Sequence, residues 1–277
     1  MYKKRKIINI IVLTLSTLSA LVGIGFLFWI LGVLLFNGFS YITPSTFTQD
    51  GAPPMSGEGG LRHALVGHLI LTSLATAIGV PVGMLAGTYL SEYGKKGKFA
   101  ELIRDLSDIM MSAPSIVIGV FVYGLIVMPA GHFSAYAGSV ALAIIMIPVI
   151  IRTTDDMLGL VPQTLREAAY ALGAPKWKVI LQVVYKGAAT GITTGILLGI
   201  ARVAGETAPL LFTAFNNNFF SLELNEPIAS LTVTMFNYTV SPFEDWQQQG
   251  WAAATILALA ILTVNIIGRI IIHKKVK

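Results

Sequence analysis

Long apolar runs separated by short polar segments dominate the pattern of this chain. About 20 apolar residues suffice to cross the roughly 30 Å hydrocarbon core of a membrane as a helix. Runs of that order lie near Ile7 to Phe36, Ala64 to Leu90, Leu106 to Met128, His132 to Ile151, Ala188 to Phe215 and Trp251 to Ile272. The pattern predicts an all-α polytopic membrane protein with six transmembrane helices, and it leaves little chain for a soluble domain.

The pattern also predicts how the chain is divided. Residues 1–60 form an N-terminal transmembrane helix and an outer loop, residues 61–272 the core, and residues 273–277 a short tail. The first apolar run follows a basic start, as in a secretion signal, but it is far longer than the 7–15 residues of a cleaved segment, so we expect a retained span. The outer segments 37–60 and 216–250 show no strong periodicity, and their structure stays open.

Composition supports the membrane assignment and excludes several kinds of site. The 277 residues are 55% hydrophobic and 12% charged. Cysteine is absent, so we expect no disulfide, thiolate nucleophile or Cys-ligated metal. The four histidines lie too far apart in the pattern for a metal site, and the glycine- and lysine-rich turn at 91–98 lacks the phosphate-loop pattern. We therefore expect no metal, no cofactor and no catalysis.

Basic residues predict the orientation of the chain, because cytoplasmic loops carry an excess of Lys and Arg. They gather at both termini and in alternate loops, whereas the other loops hold Arg62 alone. Both termini are therefore expected in the cytoplasm. The net charge of +5 is mostly this topology signal, and its division among four membrane-flanking positions argues against nucleic-acid binding. The basic residues are Lys3, Lys4, Arg5, Lys6, Lys95, Lys96, Lys98, Arg104, Arg152, Arg166, Lys176, Lys178, Lys186, Arg269, Lys274, Lys275 and Lys277.

A short helix is predicted in the cytoplasmic segment after Pro162. Proline suits the first helical position, Gly173 suits a left-handed cap, and Pro175 prevents continuation. One face carries Leu165, Ala168, Ala169 and Leu172, whereas Gln163, Arg166, Glu167 and Tyr170 point elsewhere. Such a small apolar face favours docking into a groove on another protein. The alternative is an interfacial helix that lies on the membrane.

The fifth apolar run carries a stripe of glycines. Gly187, Gly191, Gly195 and Gly199 repeat every four residues, which places nearly bare backbone along one side of a helix. Such a stripe permits close helix approach. We expect it to pack closely, within the chain or across a subunit interface.

Beyond that stripe, Arg202 and Glu206 are the charges that lie deep in a predicted span, one helical turn apart. An arginine in the bilayer interior costs roughly 2.5–3.5 kcal/mol, so such a pair should face a cavity or the bundle interior. The guanidinium suits phosphate oxygens, and Glu206 could hold it by i,i+4 pairing until an anion arrives. The alternative is a buried ion pair that fixes helix packing.

Two resemblances follow from these residues. Glu167-Ala168-Ala169, with Gly173 six residues after the glutamate, resembles the cytoplasmic EAA loop of importer-type ABC transporter permeases, although Tyr185 and Lys186 replace the family's Leu-Pro pair. That loop would occupy residues 152–187. Three further runs are similar to the phosphate-specific branch of the family: Pro114 to Gly119, Arg202 to Leu211 and Phe236 to Tyr238.

The resemblance implies a type I ABC importer permease (MetI-like) fold and a non-catalytic permease subunit in a bacterial inner membrane. It implies a heterodimer with a homologous permease, two ATP-binding subunits that use ATP and Mg, and an extracytoplasmic phosphate-binding protein. The EAA residues Glu167, Ala168, Ala169 and Gly173 would couple to the ATPase. Arg202 and Glu206 would line the phosphate pathway, with Arg152 as a second anion contact.

Other transport functions remain open. An importer of another oxyanion or small solute would share the EAA loop. A secondary transporter would need an internal repeat, and the first half of the chain has no counterpart of the Arg-x-x-x-Glu pattern at Arg202 and Glu206. The outer loops argue for delivery by a partner protein, because their excess of carboxylates would repel a free phosphate dianion. These acidic residues are Asp50, Glu58, Glu223, Glu226, Glu244 and Asp245.

Overall fold

The computed structural model describes residues 2–56, 59–94 and 97–276, with the backbone alone for residues 269 and 271–276. Glu58, Lys95, Lys96 and Lys277, on which parts of the loop, turn and tail predictions rest, lie outside the described residues. The helices are α1 (Tyr2–Ser40), α2 (Pro44–Thr48), α3 (Arg62–Glu92), α4 (Lys98–Ser112), α5 (Ser115–Ala130), α6 (Ala135–Gly159), α7 (Gln163–Ala171), α8 (Lys176–Ala204), α9 (Ala208–Leu211), α10 (Leu231–Thr239) and α11 (Glu244–Val276).

The described residues confirm a helical membrane protein. Five helices are long and apolar enough to span a membrane: α1, α3, α6, α8 and α11. The bent pair α4 and α5 makes a sixth candidate if it counts as one span. The predicted third span, Leu106 to Met128, is therefore broken, because the two helices meet at 105°. Pro114 causes the break, since proline disfavours helical backbone in the preceding residue, and Ala113 is extended at φ −68° and ψ 138°.

The fifth predicted span also has different limits. Helix α8 begins at Lys176 rather than Ala188, and it ends at Ala204 rather than Phe215. Its first turns include a π-helical stretch, Val179–Val184. The chain leaves the helix at Gly205, which caps it. The apolar run thus continues as the short helix α9 and a loop, because an apolar pattern alone does not mark where a helix ends.

Helix α6 is the centre of the core, packed between glycine-bearing faces of α3 and α8. A Cβ added at Gly83 would lie 2.6 Å from Cβ of Ile150, and one added at Gly199 would lie 3.0 Å from Cδ1 of the same isoleucine. A packing role was expected for the glycine stripe on α8. Helix α3 carries a second stripe to which the sequence pattern gave no role: Gly79, Gly83 and Gly87, which face Met146, Ile150 and Thr154.

Helix α1 lies at the edge of the bundle. Its side chains are exposed along most of its length, and it packs against α11 near its carboxyl end. There Thr255 Oγ1 donates a hydrogen bond of 3.1 Å to the carbonyl of Leu34.

Candidate functional site

The predicted cytoplasmic helix is present as α7. It begins at Gln163, one residue later than predicted, and its last turn closes at Leu172. Gly173 follows with φ +78°, the left-handed conformation that the sequence indicated. A residue with a side chain is strained there, which explains glycine at this position. The helix and its cap are therefore confirmed.

The two faces of α7 differ from the prediction in one respect. Leu172 is 89% exposed and Leu165 48% exposed, and Glu167 and Ala168 are exposed beside them. This surface is open to a partner. Arg166, by contrast, is only 4% exposed. Arg166 lies off the apolar face, as expected, but it points into the chain, where a buried carboxylate that the helical pattern did not indicate holds it.

That carboxylate belongs to Glu92, the last residue of α3. Its Oε1 accepts hydrogen bonds from Arg166 at 2.7 Å and 3.3 Å. The same guanidinium donates to the carbonyl of Leu158 at 2.8 Å and to the carbonyl of Val161, both at the carboxyl end of α6. Glu92 is 9% exposed, so the pair is shielded from water. Sequence reasoning missed it because 74 residues separate the partners and no local pattern joins them.

The start of α8 also holds the end of α3. Lys176 Nζ donates 2.9 Å to the backbone carbonyl of Glu92 and lies 3.7 Å from the centre of the Tyr93 ring. Farther along α8, the hydroxyl of Tyr185 lies 2.5 Å from Thr88 Oγ1. Tyr185, one of the two departures from the family pattern, therefore makes a polar contact between α8 and α3.

The three runs that resemble the phosphate branch lie on helices that contact one another, α5 with α9 and α9 with α10. A Cβ added at Gly119 on α5 would lie 2.6 Å from Cα of Pro209 on α9, so these backbones are in close contact. Thr232 on α10 donates a hydrogen bond of 2.9 Å to the backbone carbonyl of Glu206. The break at Pro114 makes this possible, because it directs α5 toward α9.

Arg202 and Glu206 do not form the expected pair. Arg202 lies in the last turn of α8, whereas Glu206 follows the cap at Gly205 and is no longer helical. Among the residues that the structure describes, no ion pair within 4 Å includes either side chain. The i,i+4 pairing was therefore wrong, because it assumed a helix that continues through Glu206. Arg202 is exposed and Glu206 partly exposed in the single chain.

Arg152 lies on α6, next to acidic residues. It is 3.6 Å from Asp156 on its own helix and 3.8 Å from Asp108 on α4. Both contacts are largely exposed, so they are weak. Its role as an anion contact stays a prediction.

Three glycines of the α8 stripe face α6. At Gly191 and Gly195, added Cβ atoms would collide with Met157 and Thr153, and Gly199 lies against Ile150. Gly187 is exposed, and a Cβ added there would make an ordinary contact of 3.4 Å with Cγ2 of Val161, just beyond α6. Most of the stripe therefore packs within this chain.

The outer loop is tied to the start of α3. Arg62 donates to both carboxylate oxygens of Asp50, at 3.0 Å and 2.7 Å. These hydrogen bonds from Arg62 hold the pKa of the Asp50 carboxyl below its usual value. The arginine of the outer loops is thus already paired with a carboxylate.

Known proteins resemble this chain over most of its length. Residues 79–275 match the family described as "Binding-protein-dependent transport system inner membrane component". The protein of Haemophilus influenzae called "Phosphate transport system permease protein PstA" is 49% identical over 272 residues, covering 98% of this chain and 96% of that one. "Phosphate transport system permease protein PstA 1" of Mycobacterium tuberculosis (strain ATCC 25618 / H37Rv) is 36% identical, covering 97% and 88%.

A solved structure shares the fold. The inward-facing MetNI methionine ABC transporter matches with a TM-score of 0.62 at 18% identity, over 78% of this chain and 94% of that one. At this identity the likeness concerns the fold alone.

Proposed function

The chain belongs to the family of binding-protein-dependent transport system inner membrane components, and we propose that it is the membrane-spanning permease of an ATP-driven importer of inorganic phosphate. The type I ABC importer permease fold expected from the sequence is confirmed. The observation that carries the substrate assignment is the near-full-length similarity to phosphate permeases from distant bacteria.

Coupling to the ATP-binding subunits would occur at α7. The exposed surface of α7 combines apolar Leu165 and Leu172 with Glu167 and small Ala168, while Arg166 points inward. A groove on a separate ATP-binding subunit would cover this surface. Because the helix ends in a left-handed glycine, the chain can reverse at once into α8 and hold α7 close to the membrane-spanning bundle.

The phosphate pathway would run past Arg202. Its guanidinium lies at the end of α8, and no carboxylate within 4 Å neutralises it among the described residues. A planar cation without a partner can bind phosphate oxygens in a bidentate manner. Its exposure in the single chain fits a pathway completed by a homologous second permease. Glu206 would then lie near the pathway without holding Arg202.

Two ATP-binding subunits, using ATP and Mg, would close on each other and switch the cavity between outward and inward access. An extracytoplasmic phosphate-binding protein would deliver the anion past acidic outer loops. Both termini and α7 would lie in the cytoplasm of a bacterial cell, which the positive-inside pattern supports.

Uptake of radiolabelled phosphate tests the proposal in cells that lack their own high-affinity importer and express this chain with its partner subunits. Arg202→Gln should lower uptake by at least about tenfold, because the charge-assisted contact is lost. Expression and ATPase attachment should not change. Arg62→Gln, at an arginine already bound by Asp50, is the matched control and should retain uptake. Equal uptake by Arg202→Gln and the parent would refute the pathway, and uptake of labelled sulfate but not of labelled phosphate would refute the substrate.

A further inference from the structure

The Arg166 guanidinium is the point at which the docking helix joins the ends of two spans. It bonds to Glu92 of α3 and to two carbonyls at the end of α6. Among the residues that the structure describes, Arg166 is the one side chain of α7 that hydrogen bonds to the rest of the chain. We propose that the buried ion pair of Arg166 and Glu92 is the mechanical link that carries a displacement of α7 into α3 and α6.

The geometry suits transmission better than ordinary packing does. A guanidinium is planar, with donors in fixed directions, so three acceptors around it fix its orientation as well as its position. The partly buried Ala169 of α7 packs against the apolar cluster that contains Val161 and Val179, and its small side chain offers little resistance to sliding. The end of α3 would therefore move together with α7, because Arg166 joins them.

The link would extend along the bundle. Helix α3 contacts α6 through Gly79, Gly83 and Gly87, where backbone lies against side chains with little room to deform. Lys176 also holds the end of α3 from the start of α8. The helices on both sides of α6 would thus move together with α7.

Stability alone does not explain the pair. The desolvation of two buried charges offsets most of their attraction, and apolar replacement of both partners is often neutral or stabilising. The pair does fix the orientation of α7 relative to α3 and α6, since its hydrogen bonds can form in one arrangement only. Arg166 is accordingly a positioning residue for transport. This inference rests on the proposed function, because it takes α7 as the element that the ATP-binding subunits move.

The test uses the complete transporter in proteoliposomes, with the double variant Arg166→Met and Glu92→Leu. Single variants leave one buried charge unpaired and are expected to fold poorly, whereas the double variant leaves none. The matched control is Arg104→Met with Asp155→Leu, which removes an ion pair of 2.7 Å between α4 and α6 and a hydrogen bond of 3.1 Å from Arg104 to the Leu90 carbonyl of α3, and which does not touch α7. The measurements are subunit composition, melting temperature, ATP hydrolysis and phosphate transported per ATP hydrolysed.

The link predicts that the double variant keeps its ATP-binding subunits and its ATP hydrolysis, while phosphate transported per ATP falls by about tenfold, within the usual range of coupling between sites. In the control variant, phosphate transported per ATP should fall by less than about twofold. A double variant with the parent's coupling ratio, or one that fails to assemble, would overturn the link, because the pair would then be dispensable or serve folding. A parent complex without phosphate uptake would instead refute the proposed function.

Discussion

Substitution of Gly83 by alanine tests the packing of α3 against α6 in quantitative terms. The new Cβ would lie 2.6 Å from Cβ and 2.8 Å from Cγ2 of Ile150, whereas carbon atoms in contact prefer about 3.5–4.0 Å. The contact with Cβ cannot be relieved by a change of rotamer, because Cβ is fixed to the backbone, and this β-branched side chain has little freedom at χ1 to move Cγ2. The two helices must therefore separate by roughly 1 Å.

The magnitude follows from a comparison with Gly187→Ala. There the new Cβ would make an ordinary contact of 3.4 Å with Val161 Cγ2. Both changes gain the same helix propensity, about 1 kcal/mol, so this contribution cancels in the difference between them. Overpacking remains, and it costs about 1–3 kcal/mol. At about 2–4 °C for each kcal/mol, Gly83→Ala should melt about 2–12 °C below Gly187→Ala.

The assay is thermal unfolding of the purified complex in detergent, followed by the intrinsic fluorescence of the chain's 4 tryptophans and by size-exclusion chromatography. Gly187→Ala should melt at or slightly above the parent. Equal melting temperatures for the two variants would refute the close approach of α3 and α6. A higher melting temperature for Gly83→Ala would refute the reasoning about packing as a whole.

Three further predictions concern the cytoplasmic helix and the outer loop. Leu172→Asp should abolish co-purification of the ATP-binding subunits, since the Leu172 side chain is 89% exposed at the end of α7. Leu160 is 72% exposed but lies outside α7, so Leu160→Asp should leave attachment intact. Gly173→Ala should weaken attachment by roughly 1–2 kcal/mol, the cost of a left-handed residue, and Gly173→Asn by less; equal binding by all three chains would contradict the cap. The Arg62 hydrogen bonds lower the pKa of Asp50, so they stabilise the outer loop above the ordinary carboxyl pKa and are lost as pH falls through the lowered one. The protection of the loop amides, measured relative to their intrinsic exchange rate at each pH, should therefore fall on acidification in the parent and stay constant in Asp50→Asn.

The number and kind of elements could be predicted from the sequence. Spans arise from local apolar content, because a lipid environment requires each segment to satisfy its own backbone hydrogen bonds as a helix. The cap at Gly173 was equally local, since left-handed backbone favours glycine. These features depend on residues within one or two turns of each other, so a linear pattern carries them.

Contacts between distant segments were decided by the tertiary structure. The helical pattern placed Arg166 off the apolar face without indicating a partner, and its burial depends on Glu92, which another span brings to it. The separation of Arg202 from Glu206 depends on the cap at Gly205, beyond which the chain turns toward α9 and α10. A buried charge requires a partner brought by the fold. The sequence alone therefore determined which helices form, and only the packing of those helices determined which charges meet.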